Sequence, residues 1–220
     1  ELSDTGMRGV GVDRNSGRLF VVDYNSSRVL SWPDVAAFHN AQKADVVIGQ
    51  PDEFLGNCNE EQVNITASTL CQPYGVAVDS AGALYVSEYG NHRVLRFVPP
   101  FTTGMAASQV FGQGGSFTTG IANKGGTGAL GLNRPRGIAV GASTLFVYDA
   151  GNRRILVYDN PAVDAAADGA EAVADFLQLG RDLAGDVGRL HAVDDVAAHG
   201  DRHVAVAPPD DRLLMGVLYF

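Results

Sequence analysis

A motif repeats along this chain, and a repeat of this length limits the fold more than any bulk property does. Its cleanest copy runs Tyr74-Gly75-Val76-Ala77-Val78-Asp79, then Leu84-Tyr85-Val86-Ser87-Glu88-Tyr89-Gly90-Asn91-His92-Arg93-Val94-Leu95, then Gln109-Val110-Phe111-Gly112-Gln113. An earlier copy occupies residues 8–13, 18–30 and 44–50, and a later one 136–141, 144–158 and 176–181. A fourth, degenerate copy occupies 195–199, 203–207 and 211–215. Each full copy holds four short runs rich in Val, Ile, Leu, Tyr and Phe, punctuated by Gly, Asn, Ser or Pro, which is the pattern of four antiparallel strands. In the first of these strands Val10, Val76, Ile138 and Val196 alternate with Gly11, Ala77, Ala139 and Ala197, small residues that suit a strand whose neighbours approach closely.

The 27 glycines and nine prolines argue against a helical bundle, and a 45% hydrophobic content suffices for a core. The expected fold is all-β: a β-propeller with one four-stranded antiparallel blade per copy. Blades are expected at about 8–50, 74–113, 136–181 and 195–220, the last incomplete, within a single region 1–220. About four repeats are visible, and a larger ring of about six blades is one expectation. The copies recur every 66, 62 and 58 residues, counted between Gly9, Gly75, Gly137 and Asp195. A common blade needs about 40–45, so the excess belongs to the connections.

The residues Pro73-Tyr74-Gly75-Val76-Ala77-Val78-Asp79 and Asn91-His92-Arg93-Val94 resemble the NHL repeat, and the resemblance extends over nearly the whole chain. The stretches Ala44-Asp45-Val46-Val47-Ile48-Gly49-Gln50-Pro51-Asp52 and Pro99-Pro100-Phe101-Thr102-Thr103-Gly104-Met105-Ala106-Ala107-Ser108 look like a bacterial subgroup with long linkers. The resemblance implies a propeller and, in the wider family, either binding or a metal-dependent lyase activity in the central channel.

Net charge is −9, and no run of Lys or Arg exceeds two, so the basic footprint that drives nucleic-acid affinity is missing. No segment approaches the ~20 apolar residues of a membrane span, and Glu1-Leu2-Ser3-Asp4 has no signal-like character. Cys58 and Cys71 bracket a polar loop of 12 residues, which suits a local disulfide worth about 3 kcal/mol in the chain-entropy model. That pairing points to a secreted, periplasmic or otherwise extracellular setting; two free thiols in a cytosolic protein are the alternative. Asn25 and Asn64 fit the glycosylation acceptor pattern, a short motif with frequent chance matches.

A group present in every blade is more readily architecture than site, since one ligand cannot meet all copies alike. The pairs Asp23 with Arg28, Glu88 with Arg93 and Asp149 with Arg154 are thus expected to bridge the turn between second and third strands. Asn25, Asn91 and Asn152 are expected to tolerate left-handed backbone there. Gly49-Gln50, Gly112-Gln113 and Gly180-Arg181 are read as repeated ends of the fourth strand, and Trp32 as a packed cap on its blade edge. A divalent ion such as Ca or Zn would need about three converging ligands. The innermost-strand ends offer only Asp13, Asp79 and His199, with Gly141 at the equivalent position of the third copy. No nucleophile elbow, phosphate-binding loop or metalloprotease helix occurs.

Strand alternation places the second-to-third turns on one face of the propeller together with the long linkers 51–72, 114–135 and 182–193. Loops of this length suggest a binding surface, with Phe54, Phe117 and Asn123 as candidate ligand contacts. The opposite face carries 32–43, 99–107 and 160–174, the last Ala-rich enough for a short helix. Two functions follow: a non-catalytic binding or scaffolding propeller for a protein or small-molecule ligand, or a channel hydrolase or lyase using a divalent metal. The mostly aliphatic inner positions favour the first. Because the fourth copy reaches only its third strand, near 212–220, an apolar edge is expected to need a longer propeller or another chain to pair with.

Overall fold

The computed structural model describes residues 6–59, 64–159, 161 and 162, and the backbone of 171–175. The chain divides into two compact units, Glu1–Leu177 and Gln178–Phe220, and every described residue belongs to the first. The fourth copy of the repeat, the closure of a ring and His199 lie outside the described residues.

The strands are β1 Met7–Val12, β2 Leu19–Asp23, β3 Arg28–Trp32, β4 Val46–Ile48, β5 Pro73–Val78, β6 Leu84–Glu88, β7 Arg93–Phe97, β8 Gln109–Phe111, β9 Pro135–Val140, β10 Thr144–Asp149, β11 Arg154–Asp159 and β12 Glu171–Asp175. They form three antiparallel four-stranded sheets, each ordered as its strands occur in the chain. These are propeller blades, stacked face to face. Because side chains alternate across a strand, each strand serves two cores. Leu84 and Val86 of β6 join Phe20, Val22, Val29 and Ile48 of the first sheet, while Tyr85 between them joins Ile138, Leu145, Val147 and Leu156 of the third. Burial on both faces explains why β2, β3, β6 and β7 are buried at every position rather than alternating with polar residues.

The innermost strands β1, β5 and β9 lie side by side, and glycine sets their spacing. A Cβ on Gly9 would come 3.1 Å from the Tyr74 carbonyl oxygen, and one on Gly75 2.6 Å from that of Arg136. No larger residue fits at Gly75 without moving backbone. Each innermost strand also carries an irregularity in its pairing at the same place: between Met7 and Val10, between Pro73 and Val76, and opposite Val147 to Asp149. The outer edge of β4 is covered by the next blade, whose Gly104 amide donates to Val47 O at 3.0 Å while Thr103 Oγ1 accepts from Val47 N at 3.1 Å. Edge strands left open invite mispairing, and this loop removes that option.

Three expectations change. The fourth strand of the third blade is Glu171–Asp175, not 176–181, which lies outside the described residues. Residues 171–174, expected at the end of a short helix, instead pair with Arg154–Val157, since β11 offers a row of backbone groups that only a strand can satisfy. The left-handed turn residues are Ser27, His92 and Arg153, at φ 49°, 53° and 55°, rather than the asparagines. Asn91 and Asn152 sit immediately before them and use their side chains instead, each donating to its blade's own acid, Glu88 or Asp149. Asn25 is not their equivalent; Ser26 holds that position, and its amide donates to Asp23 Oδ1 at 3.2 Å. Trp32 is the buried last residue of β3, edge-on to Phe38 at 5.3 Å, with its indole N–H donating to Gln42 O.

The expected acid–arginine bridges are present in all three blades: Arg28 Nε to Asp23 Oδ2 at 3.1 Å, Arg93 Nε to Glu88 Oε2 at 2.5 Å, and Arg154 Nε to Asp149 Oδ2 at 2.7 Å. Glu88 and Arg93 are both fully buried. Removing one member of such a pair leaves the other charge desolvated and uncompensated. Arg93→Ala should therefore cost about 3–5 kcal/mol of unfolding free energy in a urea titration. Lys43→Ala, which breaks an exposed pair with Glu53, should change it by no more than about 1 kcal/mol. Equal effects would show that burial does not set the value of the pair.

Candidate functional site

The long linkers are held by the same ion pairs that hold the turns. Arg93 reaches past Glu88 to donate to Thr66 O at 3.0 Å, Thr69 O at 2.8 Å and Phe117 O at 2.6 Å, so a single guanidinium grips the linker before its blade and the one after. Arg154 repeats the grip on Thr127 O, on Gly128 O at 3.0 Å and on Gly131 O at 2.8 Å, and Arg28 donates to Glu53 O at 2.6 Å. The carboxylates act in parallel: Cys71 N donates to Glu88 Oε1 at 2.8 Å and Asn133 N to Asp149 Oδ1 at 2.7 Å.

Further contacts recur from linker to linker. Gln50 Nε2 donates to Ser27 O and Asn57 O, as Gln113 Nε2 does to His92 O and Ile121 O. Leu70 and Leu132 are fully buried beside Gly49 and Gly112. Asn59 exchanges side-chain hydrogen bonds with Asn91, and Asn123 with Asn152. Cys58 and Cys71 form a disulfide, closing the first linker around the Asn59 amide bond to Leu70 O. The linkers are thus part of the repeat unit.

This places the candidate contacts read from sequence. Asn123 is committed to Asn152, and Phe117 is half-buried against the core with its carbonyl held by Arg93. Phe54 is 86% exposed, beside a turn capped by Asp52. On the opposite face, Asp13 accepts from Asn15 N and Ser16 Oγ, and the Ser16 hydroxyl bond holds its carboxyl below the usual range. Asp79 accepts from Ala81 N, Ala83 N and the Tyr85 hydroxyl, with Arg96 3.6 Å away. Burial pushes that phenol up to about 12. Both aspartates cap turns, and among the described residues no three His, Cys, Asp or Glu side chains converge on a metal position. The third candidate, His199, lies outside the described residues.

A different cluster lies on the face of the hairpins and linkers, where the innermost strands begin. Arg8 of β1, Tyr74 of β5 and Arg136 of β9 occupy equivalent positions, each one residue before Gly9, Gly75 or Gly137. Tyr24 and Tyr89, from the turns after β2 and β6, lean in beside them: Tyr24 meets Tyr74 at 6.1 Å and Tyr89 at 6.5 Å, both edge-on. The Arg8 guanidinium lies over Tyr24 at 5.2 Å and over Tyr74 at 5.7 Å. Arg136 lies over Tyr74 at 5.5 Å and Tyr89 at 5.7 Å, and Arg134 over Tyr89 at 5.4 Å. Burial raises the Tyr24 phenol above its ordinary value, with Tyr89 adding to the shift and Arg8 and Arg136 opposing it. His92 sits behind Arg134, its Nδ1 accepting from the Arg134 amide at 3.0 Å. Sequence reading missed this cluster because its members are scattered from Arg8 to Arg136 and the residue type at their place in the repeat differs between copies. Their common place just before a repeated glycine or after a repeated acid was the available signal.

The blades and their locked turns define a repeat protein of the β-propeller class. The family model of the NHL repeat matches residues 70–97, the stretch from the end of the first linker through β7. No curated protein sequence matches the chain. Among solved structures, the chain is similar to Kuenenia stuttgartiensis hydrazine synthase, at 15% identity and a TM-score of 0.46 over 71% of this chain and 33% of that one. It is similar also to a gluconolactonase from Xanthomonas campestris, at 15% identity and a TM-score of 0.44 over 78% of this chain and 48% of that one. Regucalcin, a calcium-binding protein from Agrobacterium tumefaciens, matches at 14% identity and a TM-score of 0.37 over 64% of this chain and 37% of that one. The chain spans less than half the length of each.

Burial and the neighbouring Arg134 charge lower the His92 pKa below 6.5, its ordinary value. The folded state therefore resists a proton that the unfolded state takes up near pH 6.5, so this residue's contribution to stability falls as pH drops through that value and levels off below the folded pKa. An NMR titration of the His92 ring should give a midpoint below 6.5. A midpoint at or above it would contradict the placement of Arg134 against the ring.

Proposed function

We propose that this chain is a non-catalytic binding module of the long-linker NHL type, whose ligand seats at the Arg8, Tyr24, Tyr74, Tyr89, Arg134 and Arg136 cluster. One observation carries the reading: the acids near this face are already committed, while the cluster varies from blade to blade. Asp23, Glu88 and Asp149 are each buried against an arginine and bonded to turn or linker donors. They are poor choices for a general base or a metal ligand, since either role would unlock a turn. The cluster reads Arg8, Tyr74, Arg136 where the frame reads Gly9, Gly75, Gly137, and Tyr24, Tyr89, Ala150 after the repeated acids. Variation against a fixed frame is what specificity for a single ligand requires.

The disulfide between Cys58 and Cys71 supports an oxidising compartment, secreted or periplasmic. Among the described residues no helix is long and apolar enough to cross a membrane. The ligand is a small molecule or an exposed segment of another protein.

Elemental analysis of the purified protein after dialysis against a chelator, paired with assays for lactone and ester hydrolysis, separates binding from catalysis. The binding reading expects far less than one equivalent of any divalent metal and no turnover above buffer. One tightly held ion per chain, with turnover that follows its removal and return, would replace it with the channel-enzyme reading.

A further inference from the structure

We propose that the cluster binds the oxyanion group of a small acidic ligand, with Arg8, Arg134 and Arg136 supplying positive charge and the Tyr24, Tyr74 and Tyr89 hydroxyls supplying further donors. This names the ligand class for the binding reading above and rests on it.

The argument begins with charge. The protein carries a net −9, yet this mouth gathers three arginines around three tyrosine rings. Five arginines elsewhere are matched with acid, Arg18 with Asp45, Arg28 with Asp23, Arg93 with Glu88, Arg96 with Asp79 and Arg154 with Asp149, while among the described residues Arg14 and Arg153 stand singly without an aromatic cluster around them. Arg8 and Arg134 have no carboxylate within ion-pair distance among the described residues. The positive charge of Arg8 and Arg134 at this mouth favours an anion placed beside them.

Geometry supplies the rest. A guanidinium lying over a tyrosine face gains cation–π attraction while its N–H edge stays available, so the rings fix the plane from which two parallel hydrogen bonds can reach a carboxylate, sulfate or phosphate. The chemistry offered is almost purely donor. Guanidinium nitrogens cannot accept, and the phenols of Tyr24, Tyr74 and Tyr89 have no hydrogen-bond partner among the described residues. By contrast, the buried phenols of Tyr85 and Tyr158 are spent on Asp79 and Ala129 O. The cluster lies where the innermost strands open onto the hairpin face, with Arg8 and Arg134 exposed and the tyrosines half-buried, so a small ligand can reach all of them from solvent.

The test titrates phosphate, sulfate, succinate and the neutral isostere succinamide into the intact protein at low ionic strength. Binding is followed by calorimetry and by the arginine Nε–H and tyrosine ring NMR signals. The expected result is saturable one-site binding of at least one oxyanion, with shifts at Arg8, Arg134 and the three tyrosines. Arg8→Gln and Arg134→Gln should each weaken it roughly tenfold, while Arg14→Gln, an exposed arginine in the β1–β2 turn, should leave it unchanged. Tyr74→Phe removes one hydroxyl without altering the ring and should weaken binding several-fold, which keeps the test open if an arginine variant folds poorly. Preference for phosphate or sulfate identifies a tetrahedral group, and preference for succinate a carboxylate. Succinamide binding as well as succinate would overturn the inference and leave the binding reading standing. No saturable oxyanion binding, or equal losses at Arg8, Arg134 and Arg14, would overturn it as well, with the metal and turnover assays still deciding the broader reading.

Discussion

Everything described here hangs on a buried carboxylate facing a buried guanidinium at the hairpin of each blade. An acid at the end of the second strand and an arginine at the start of the third are opposite each other in register, as Asp23 is to Arg28, Glu88 to Arg93 and Asp149 to Arg154. A lone charge there would be costly to desolvate, and the pair alone would repay little. Remaining donors and acceptors are therefore spent on backbone: one carboxylate oxygen takes the amide two residues before its own blade's innermost strand, and the arginine takes several linker carbonyls. The consequence is that a connection of some twenty residues is as much a part of the blade as its strands.

Much of this was legible in the sequence. Four apolar runs per copy gave the blades, the recurring Asp or Glu and Arg gave the turn bridge, and the small residues of the first strand gave the close approach seen at Gly75. The linkers were harder to read. Gln50 to Pro73 and Gln113 to Pro135 share few side chains, because what the arginines grip is backbone carbonyl, and any residue can supply one. Gln, a buried Leu immediately before the proline-side amide donor and a single Asn were the visible traces, as in Gln113, Leu132 and Asn123. Reading length as freedom made Asn123 and Phe117 look like ligand contacts, when a hydrogen-bonded pair and a core contact occupy them. The third blade's outer strand was misplaced for a related reason: Ala172 and Ala174 give no apolar signal of the strength that Val110 and Phe111 do, yet pairing with β11 satisfies the same backbone groups.

The division between repeated and unrepeated positions carries over to function. Side chains that recur at each blade serve the frame, and their chemistry is used up there. Those that change from blade to blade at one geometric position collect around the mouth of the innermost strands, where guanidiniums and tyrosine rings pack together. A fixed frame with a variable rim lets one fold present different ligand sites without disturbing its own stability.

The central claim is that the linkers are locked into the blades by buried ion pairs, and native-state hydrogen exchange tests it at single amides. Cys71 N and Asn133 N, which donate to Glu88 and Asp149, should exchange as slowly as the amides of β6 and β10, and only through opening of the whole blade. Exchange of both within the time expected for an exposed loop, with β6 and β10 still protected, would contradict it and return the linkers to the status of surface loops.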